Sequence, residues 1–231
     1  MLARLMPSTK RLLTALLALL GISNAVSADQ KAQSMDPKRI LFSIPTISDD
    51  LPPMDQGGAK PSARDFALDE DVWTQIEFLS RSQLPVVQRM LQEYKSFEAA
   101  NRAQYGWRNT YVRKLERTDV IHGADALKEL ESILGIKAGP APVLLSLNTV
   151  TGRVRNGFSV PLGGSVTVYG YTDAGGIPVL GALVGRDPDD GRLVKAFRRL
   201  NAKEGLILVD WRQQLVLISI APSGQINTWR P

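Results

Sequence analysis

Hydrophobic positions along this chain change period several times, and each change predicts an element. Val72, Thr74, Ile76 and Phe78 alternate at period two, which predicts a strand. Leu84, Val87, Leu91, Tyr94 and Phe97 then recur at spacings of three and four, with Met90 beside the stripe. That spacing predicts an amphipathic helix running to about Ala103. Ser82 stands at its N-cap, Pro85 is tolerated in the first turn and Gly106 stops it. Trp107 to Glu116 reads as a second strand and closes a strand-helix-strand unit.

A shorter helix is predicted from Ala124 to Leu134, with Leu127, Leu130, Ile133 and Leu134 as its apolar side and Gly135 as its stop. After Gly139-Pro140-Ala141-Pro142 the chain turns toward strands. Val143 to Val150, Arg153 to Val160 and Ser165 to Thr172 are β-rich, separated by turns at Thr151-Gly152 and Leu162-Gly163-Gly164. Pro178 to Val184 is an apolar strand candidate. Asp187-Pro188-Asp189-Asp190-Gly191 can cap a helix from Arg192 to Ala202, striped by Leu193, Val194, Phe197 and Leu200 and stopped by Gly205. Leu206 to Trp211, Gln214 to Ile220 and Gln225 to Trp229 follow as strands, the last two joined by Ala221-Pro222-Ser223-Gly224. Phe97-x3-Asn101 before Gly106 parallels Phe197-x3-Asn201 before Gly205. So few positions match that independent capping chemistry explains them better than duplication.

The pattern predicts an α+β fold: a mixed or antiparallel sheet with two strand-helix-strand units, a β-rich middle and a C-terminal meander. Residues 71–231 are expected to form one α+β domain, the break near 136–142 being the alternative boundary. Residues 29–70 are punctuated by Pro37, Pro45, Pro52, Pro53, Gly57, Gly58 and Pro61. Only Arg39 to Ile44 offers a strand there, so the segment reads as an extended arm or linker.

The first 28 residues read differently. Arg4, Lys10 and Arg11 precede the eleven-residue apolar run Leu12 to Ile22, and Ser23-Asn24-Ala25-Val26-Ser27-Ala28 supplies a small-residue exit. This is the pattern of a secretory signal, with cleavage after Ala28 favoured over Ala25. Spanning a bilayer needs roughly 20 apolar residues, so no transmembrane segment is expected in the mature chain. The implied location is periplasmic or secreted.

The signal corrects the charge. Three of the 28 basic residues and none of the 23 acidic ones lie in it, which leaves 25 against 23 and a net charge of +2. That is too small to argue for a polyanion partner. The absence of cysteine excludes a disulfide framework, a thiol nucleophile, a thiolate metal site and a cysteine-linked lipid anchor.

Arg102 to Arg117 is the best candidate binding surface. It holds Arg108, Arg113 and Lys114 with Trp107 and Tyr111 interleaved, a composition suited to stacking on or pairing with an anionic polymer. On a continuous strand Trp107, Asn109, Tyr111 and Arg113 would share one face. The competing reading makes that face core and the cations its solvated reverse. Export disfavours nucleic acid and leaves an anionic glycan or lipid surface as the polyanion. Arg198-Arg199, with Arg192, Lys195 and Lys203 nearby, forms a second cationic spot.

Catalytic signals are weak. His122 is the only histidine and reads as an exposed turn residue. The 187–191 loop has the acidic density of a calcium loop, but the twelfth position is Arg198, so capping explains it better. Glu77 and Asp210 sit among apolar neighbours, yet Glu77 falls opposite Ile76 and Phe78, where exposure would explain it, and Asp210 lies at a strand end. No catalytic residue, metal or cofactor is assigned. Two readings follow: an exported, non-catalytic interaction protein of the bacterial envelope, part of a secretion, pilus or transfer assembly with a protein partner; or a periplasmic carboxylate-dependent enzyme acting on a cell-wall or glycan substrate.

Overall fold

The computed structural model describes residues 41–56, 61–62, 65–147, 149–186 and 188–231. The signal reading at 1–28 and the first two residues of the expected strand at Arg39 to Ile44 lie outside them. In the described part, 41–44, no strand forms and Phe42 alone pairs, through an isolated bridge to Trp107. In chain order the elements are β1 (Thr46–Ser48), β2 (Met54–Gln56), β3 (Ala67–Asp69), β4 (Ile76–Ser80), α1 (Leu84–Asn101), β5 (Arg102–Ala103), β6 (Gly106–Trp107), β7 (Tyr111–Arg113) and β8 (Ile121–His122). There follow α2 (Ala126–Leu134), β9 (Val143–Ser146), β10 (Thr149–Val154), β11 (Gly157–Gly163), β12 (Val166–Tyr171), β13 (Gly176–Ile177), β14 (Val179–Val184), α3 (Asp190–Glu204), β15 (Leu206–Asp210), β16 (Leu215–Ile220) and β17 (Ile226–Trp229). The fold is α+β, as the pattern predicted.

A seven-stranded sheet in the order β11-β12-β14-β4-β15-β16-β17 organises the molecule. Every neighbouring pair in it is antiparallel. Strand β4 sits at its centre although it comes first of these strands in the chain, inserted between β14 and β15, while the other strand of its predicted strand-helix-strand unit pairs with β1 in a separate sheet.

Both faces of this sheet are covered. On one, Phe78, Val168, Leu180, Leu206 and Leu208 pack with Leu130 and Leu134 of α2 and Phe197 and Leu200 of α3. On the other, Leu79, Ile207, Val209 and Val216 pack under Val87, Leu91 and Tyr94 of α1. Farther along that second face Tyr169 and Val179 meet Leu68, Trp73, Leu144 and Val154, which come from the smaller sheet β2-β10-β9-β3 and the turn before β4. Burial of a side chain such as Phe197 stabilises by about 1.5–3 kcal/mol relative to exposure. Two-sided burial explains the apolar run Leu206-Ile207-Leu208-Val209 in β15, where alternation is absent.

Helix ends follow their local chemistry. Gly135 and Gly205 close α2 and α3 at φ 70° and 66°, left-handed conformations that glycine adopts without a Cβ penalty. The Asp189 carboxylate accepts from the Gly191 N–H at the start of α3. At α1 the chain enters through a 3-10 turn, Arg81–Gln83, whose cap is Ser80, accepting from Ser82 N–H; α1 itself starts after Gln83 with no side-chain cap. The asparagines of the two helix-end patterns diverge. Asn101 bonds back to Phe97 O within its own helix, whereas Asn201 donates to Leu206 O and Ile218 O in the following strands.

The segment expected as an arm contributes β1, β2 and β3. Strand β1 pairs in parallel with β7, β2 pairs with β10 and β3 with β9. The expected turn at Thr151-Gly152 lies inside β10, where the register slips between Val150 and Gly152. Gly152 is required there because a Cβ would lie 2.5 Å from Asp55 O of β2. Reversals instead use positive φ at Leu147 (55°) and Asn156 (52°).

Candidate interaction surfaces

The structure takes apart the binding surface expected at 102–117. The strand needed to align its residues is broken into three short pieces, Arg102–Ala103, Gly106–Trp107 and Tyr111–Arg113. Trp107 is half-buried with its indole nitrogen shut from solvent, and its backbone pairs with Phe42. Tyr111 packs on α1, its ring 5.4 Å from that of Tyr94 and 5.5 Å from that of Phe97, and its hydroxyl donates to Glu93. Arg108 and Lys114 are exposed, whereas Arg113 is only 2% exposed. Arg113 is therefore not a surface cation.

Arg113 belongs to a buried polar network beneath the central strands. Its guanidinium donates to Thr46 Oγ1 at 3.0 Å and to Thr74 O at 3.1 Å, and lies 5.2 Å over the Trp211 ring. Burial pulls Arg113 down to about 10, opposed by the nearby Glu77 carboxylate, so it stays cationic at neutral pH. Glu77 is 1% exposed, which corrects the expectation that its face is solvated. The face opposite Phe78 is covered too, by α1 and the segment after it. The Glu77 carboxylate accepts from Trp211 Nε1 at 2.7 Å and from Arg117 Nη1, and Arg117 Nε donates to Asp50 at 2.9 Å. Burial alone would lower the Arg117 pKa, and Glu77 with Asp50 more than reverses this, so it is raised. Charge and hydrogen bonding close on one another here, which fits a structural tie between β1, β7 and the sheet.

The row of residues beside Glu77 shows how it is accommodated. Tyr169, Gly181, Glu77 and Val209 are successive cross-strand partners on one face. A Cβ at Gly181 would lie 2.6 Å from Tyr169 Cζ, so the glycine admits the ring. The Tyr169 hydroxyl in turn accepts from Thr74 N–H at 3.0 Å, and burial raises its pKa.

The proposed carboxylate pair does not converge. Asp210 pairs with Ile76 and Glu77 with Val209, which places the two acids on opposite faces of the sheet. Burial raises the pKa of Asp210, and its carboxylate accepts from Gln213 N–H in the following turn. His122 is exposed, 3.9 Å from Asp119. Asp187 lies outside the described residues, while Asp189 is engaged by Gly191 and Arg192. Among the described residues no group of three His, Cys, Asp or Glu side chains is placed to hold a metal ion, and no helix is long and apolar enough to cross a membrane.

Two surface features remain. The first is the pair of edges of the large sheet. Strand β11 is bridged on its outer side, Gly139 pairing with Ser159, and the Ser159 hydroxyl donates to Pro140 O at 2.7 Å. It also carries the exposed Pro161, which has no N–H to offer. Strand β17 has β16 as its one strand neighbour among the described residues. It contains no proline and no charge, and Ile226 is 37% exposed with Asn227 and Thr228 exposed beside it. The second is the cationic spot on α3, where Arg192, Lys195 and Arg199 line a groove against the end of α2. Comparison of the chain with protein-family models, with curated proteins and with solved structures finds no match.

Proposed function

We propose that this chain is an exported, non-catalytic interaction protein of the bacterial envelope, a component of a secretion, pilus or transfer assembly, and that it takes an extended partner segment along β17. The export half of the reading rests on the signal pattern at residues 1–28. The interaction half rests on one observation: among the described residues, one side of the β17 backbone has no strand partner and lacks the guards that close β11. An edge of this kind is a template for strand addition, in which main-chain hydrogen bonds supply affinity and side chains supply specificity.

Charge near the end of β17 narrows the partner. The strand itself is uncharged, while Arg230 follows it, its guanidinium reaching Gln213 O at 3.5 Å in the turn that also carries Arg212. Lys95 of α1 closes on Pro231 O beside them. The complementary partner is an extended segment, neutral along most of its length, with a carboxylate side chain at the end that meets Arg230 and Arg212.

Site-specific photo-crosslinking tests the reading. A photoreactive residue is placed at Thr228 on β17 or at Pro161 on β11, in the native host. The expected result is a discrete adduct from Thr228 and none from Pro161, with the crosslinked peptide an extended segment carrying Asp or Glu. Equal labelling from the two edges, or no discrete adduct from Thr228, overturns it.

A further inference from the structure

We infer that the groove between the end of α2 and the flank of α3 is a binding site for a phosphate-bearing group of headgroup size. It is independent of the β17 edge. The groove encloses about 280 Å³. That is just below the roughly 300–1,000 Å³ of typical small-molecule pockets, so it takes a headgroup rather than a whole macromolecule. Its floor is apolar, made by Leu134, Leu162 and Ala196, each nearly buried. Its rim is cationic, made by Arg192, Lys195 and Arg199.

The cations are placed by helical periodicity. Positions 192, 195 and 199 recur at three and four residues, so they share one face of α3. Seven residues at 1.5 Å rise spread them over about 10 Å. Two of the three are held in place. Arg199 Nη1 donates to Leu134 O and, at 3.3 Å, to Ile133 O, carbonyls that the end of α2 leaves open. Arg192 donates through Nε to Asp189 at 3.2 Å and through Nη1 to Leu162 O at 3.3 Å. A guanidinium carries five N–H donors, so each arginine can serve the fold and still present a donor pair to an anion. Pinning both in advance removes much of the side-chain entropy that binding would otherwise cost.

Glycines adjoin both guanidiniums: a Cβ at Gly135 or at Gly163 would be in ordinary van der Waals contact with Arg199 Nη1 (3.5 Å) or Arg192 Nη1 (3.7 Å). Both positions have positive φ, so the turns that end α2 and β11 also bring their bare backbone to the two guanidiniums. Two guanidinium forks and the Lys195 ammonium offer more donors than the two oxygens of a carboxylate take up, whereas a phosphate carries enough oxygens to meet them, and the apolar floor suits a phosphate that carries hydrocarbon.

Titration of the full mature protein with inorganic phosphate, followed by NMR of the arginine Nε–H signals, tests the site. Arg192→Gln with Lys195→Gln is compared with the charge-matched variant Arg198→Gln with Lys203→Gln on the same helix. Thermal melting checks that both stay folded. Arg199 is left intact because it ties α2. The site predicts saturable shifts at Arg192 and Arg199, with affinity at least about tenfold weaker in the first variant and nearly unchanged in the second. Equal losses in both variants, or no saturation tighter than about 10 mM, overturn it. Vesicles of phosphatidylglycerol and of phosphatidylcholine distinguish the source. Binding to the first alone, lost with Arg192 and Lys195, assigns a lipid headgroup; phosphate binding without vesicle binding assigns a soluble phosphate ester.

Discussion

The centre and the open edge of the same sheet spend their bonding capacity in opposite ways. At the centre, β4 is paired on both sides, by β14 and β15. Its Glu77 is closed on both oxygens by Trp211 and Arg117. At the edge, β17 carries no charge and is paired on one side. Charge in the sequence therefore does not by itself separate groups spent inside the fold from groups left open at its surface. The most deeply placed charges hold β1 and β7 against the sheet, and unspent capacity lies in the backbone of an uncharged strand.

Changes at the centre should cost stability. Glu77→Ala leaves Arg117 with Asp50 as its one acidic partner among the described residues and removes the acceptor of the buried Trp211 N–H. Breaking a buried pair in this way costs about 3–5 kcal/mol. Denaturant unfolding should show that loss as a lower midpoint, and a loss under about 1 kcal/mol would mean the centre is not built on this network. Gly181→Ala forces the Tyr169 ring to move and should cost about 1–3 kcal/mol. Combined with Tyr169→Val, which removes the clashing ring, it should cost less than the sum of the two single changes.

Changes at the edge should cost binding and little stability. In an edge strand alternate N–H groups point outward, so of Asn227→Pro and Thr228→Pro one removes an inward ladder donor and the other an outward donor. The outward variant is expected to lose less than about 1 kcal/mol in denaturant unfolding while abolishing the crosslink from a photoreactive residue at Ile226. If both variants destabilise alike and both retain the crosslink, centre and edge do not divide these roles.

The smallest effect concerns the tie between the second sheet and the chain that leads into it. Arg153 and Ser62 hold the Asp65 carboxyl down, from an ordinary 3.8 to about 2. A depressed acid contributes stability that is fully present above 3.8 and is lost as pH falls toward 2. Carboxyl NMR should place its midpoint near the lower value in the native protein and higher, toward the ordinary one, in Arg153→Ala, where Ser62 still donates.

Much of the fold was legible because its signals are local. The spacing of Leu84, Val87, Leu91 and Tyr94 marked α1. Gly135 and Gly205 marked helix ends that do adopt left-handed backbone. What misled was the second covered face. Period-two reasoning puts Glu77 opposite Phe78 and so in solvent, but nothing in the strand records that α1 and β7 return to cover it. Arg113 failed for a related reason. Its neighbours Arg108 and Lys114 are exposed, and sequence proximity cannot separate a surface cation from one beneath a tryptophan. The break between Trp107 and Tyr111 also removed the shared face that the composition implied. Arg192, Lys195 and Arg199 were legible only as members of a cationic spot centred on Arg198-Arg199, because which of its cations line the groove depends on how α3 packs against α2. The openness of β17 depends on strand order, which no short stretch encodes.

Backbone amide exchange at β17 tests the central claim most directly. The partner segment identified by crosslinking is added as a synthetic peptide, and exchange is read residue by residue. Strand addition predicts new protection at alternate amides of Ile226 to Trp229, with β11 and α1 unchanged. Unchanged exchange across β17, or protection arising elsewhere instead, would contradict the account.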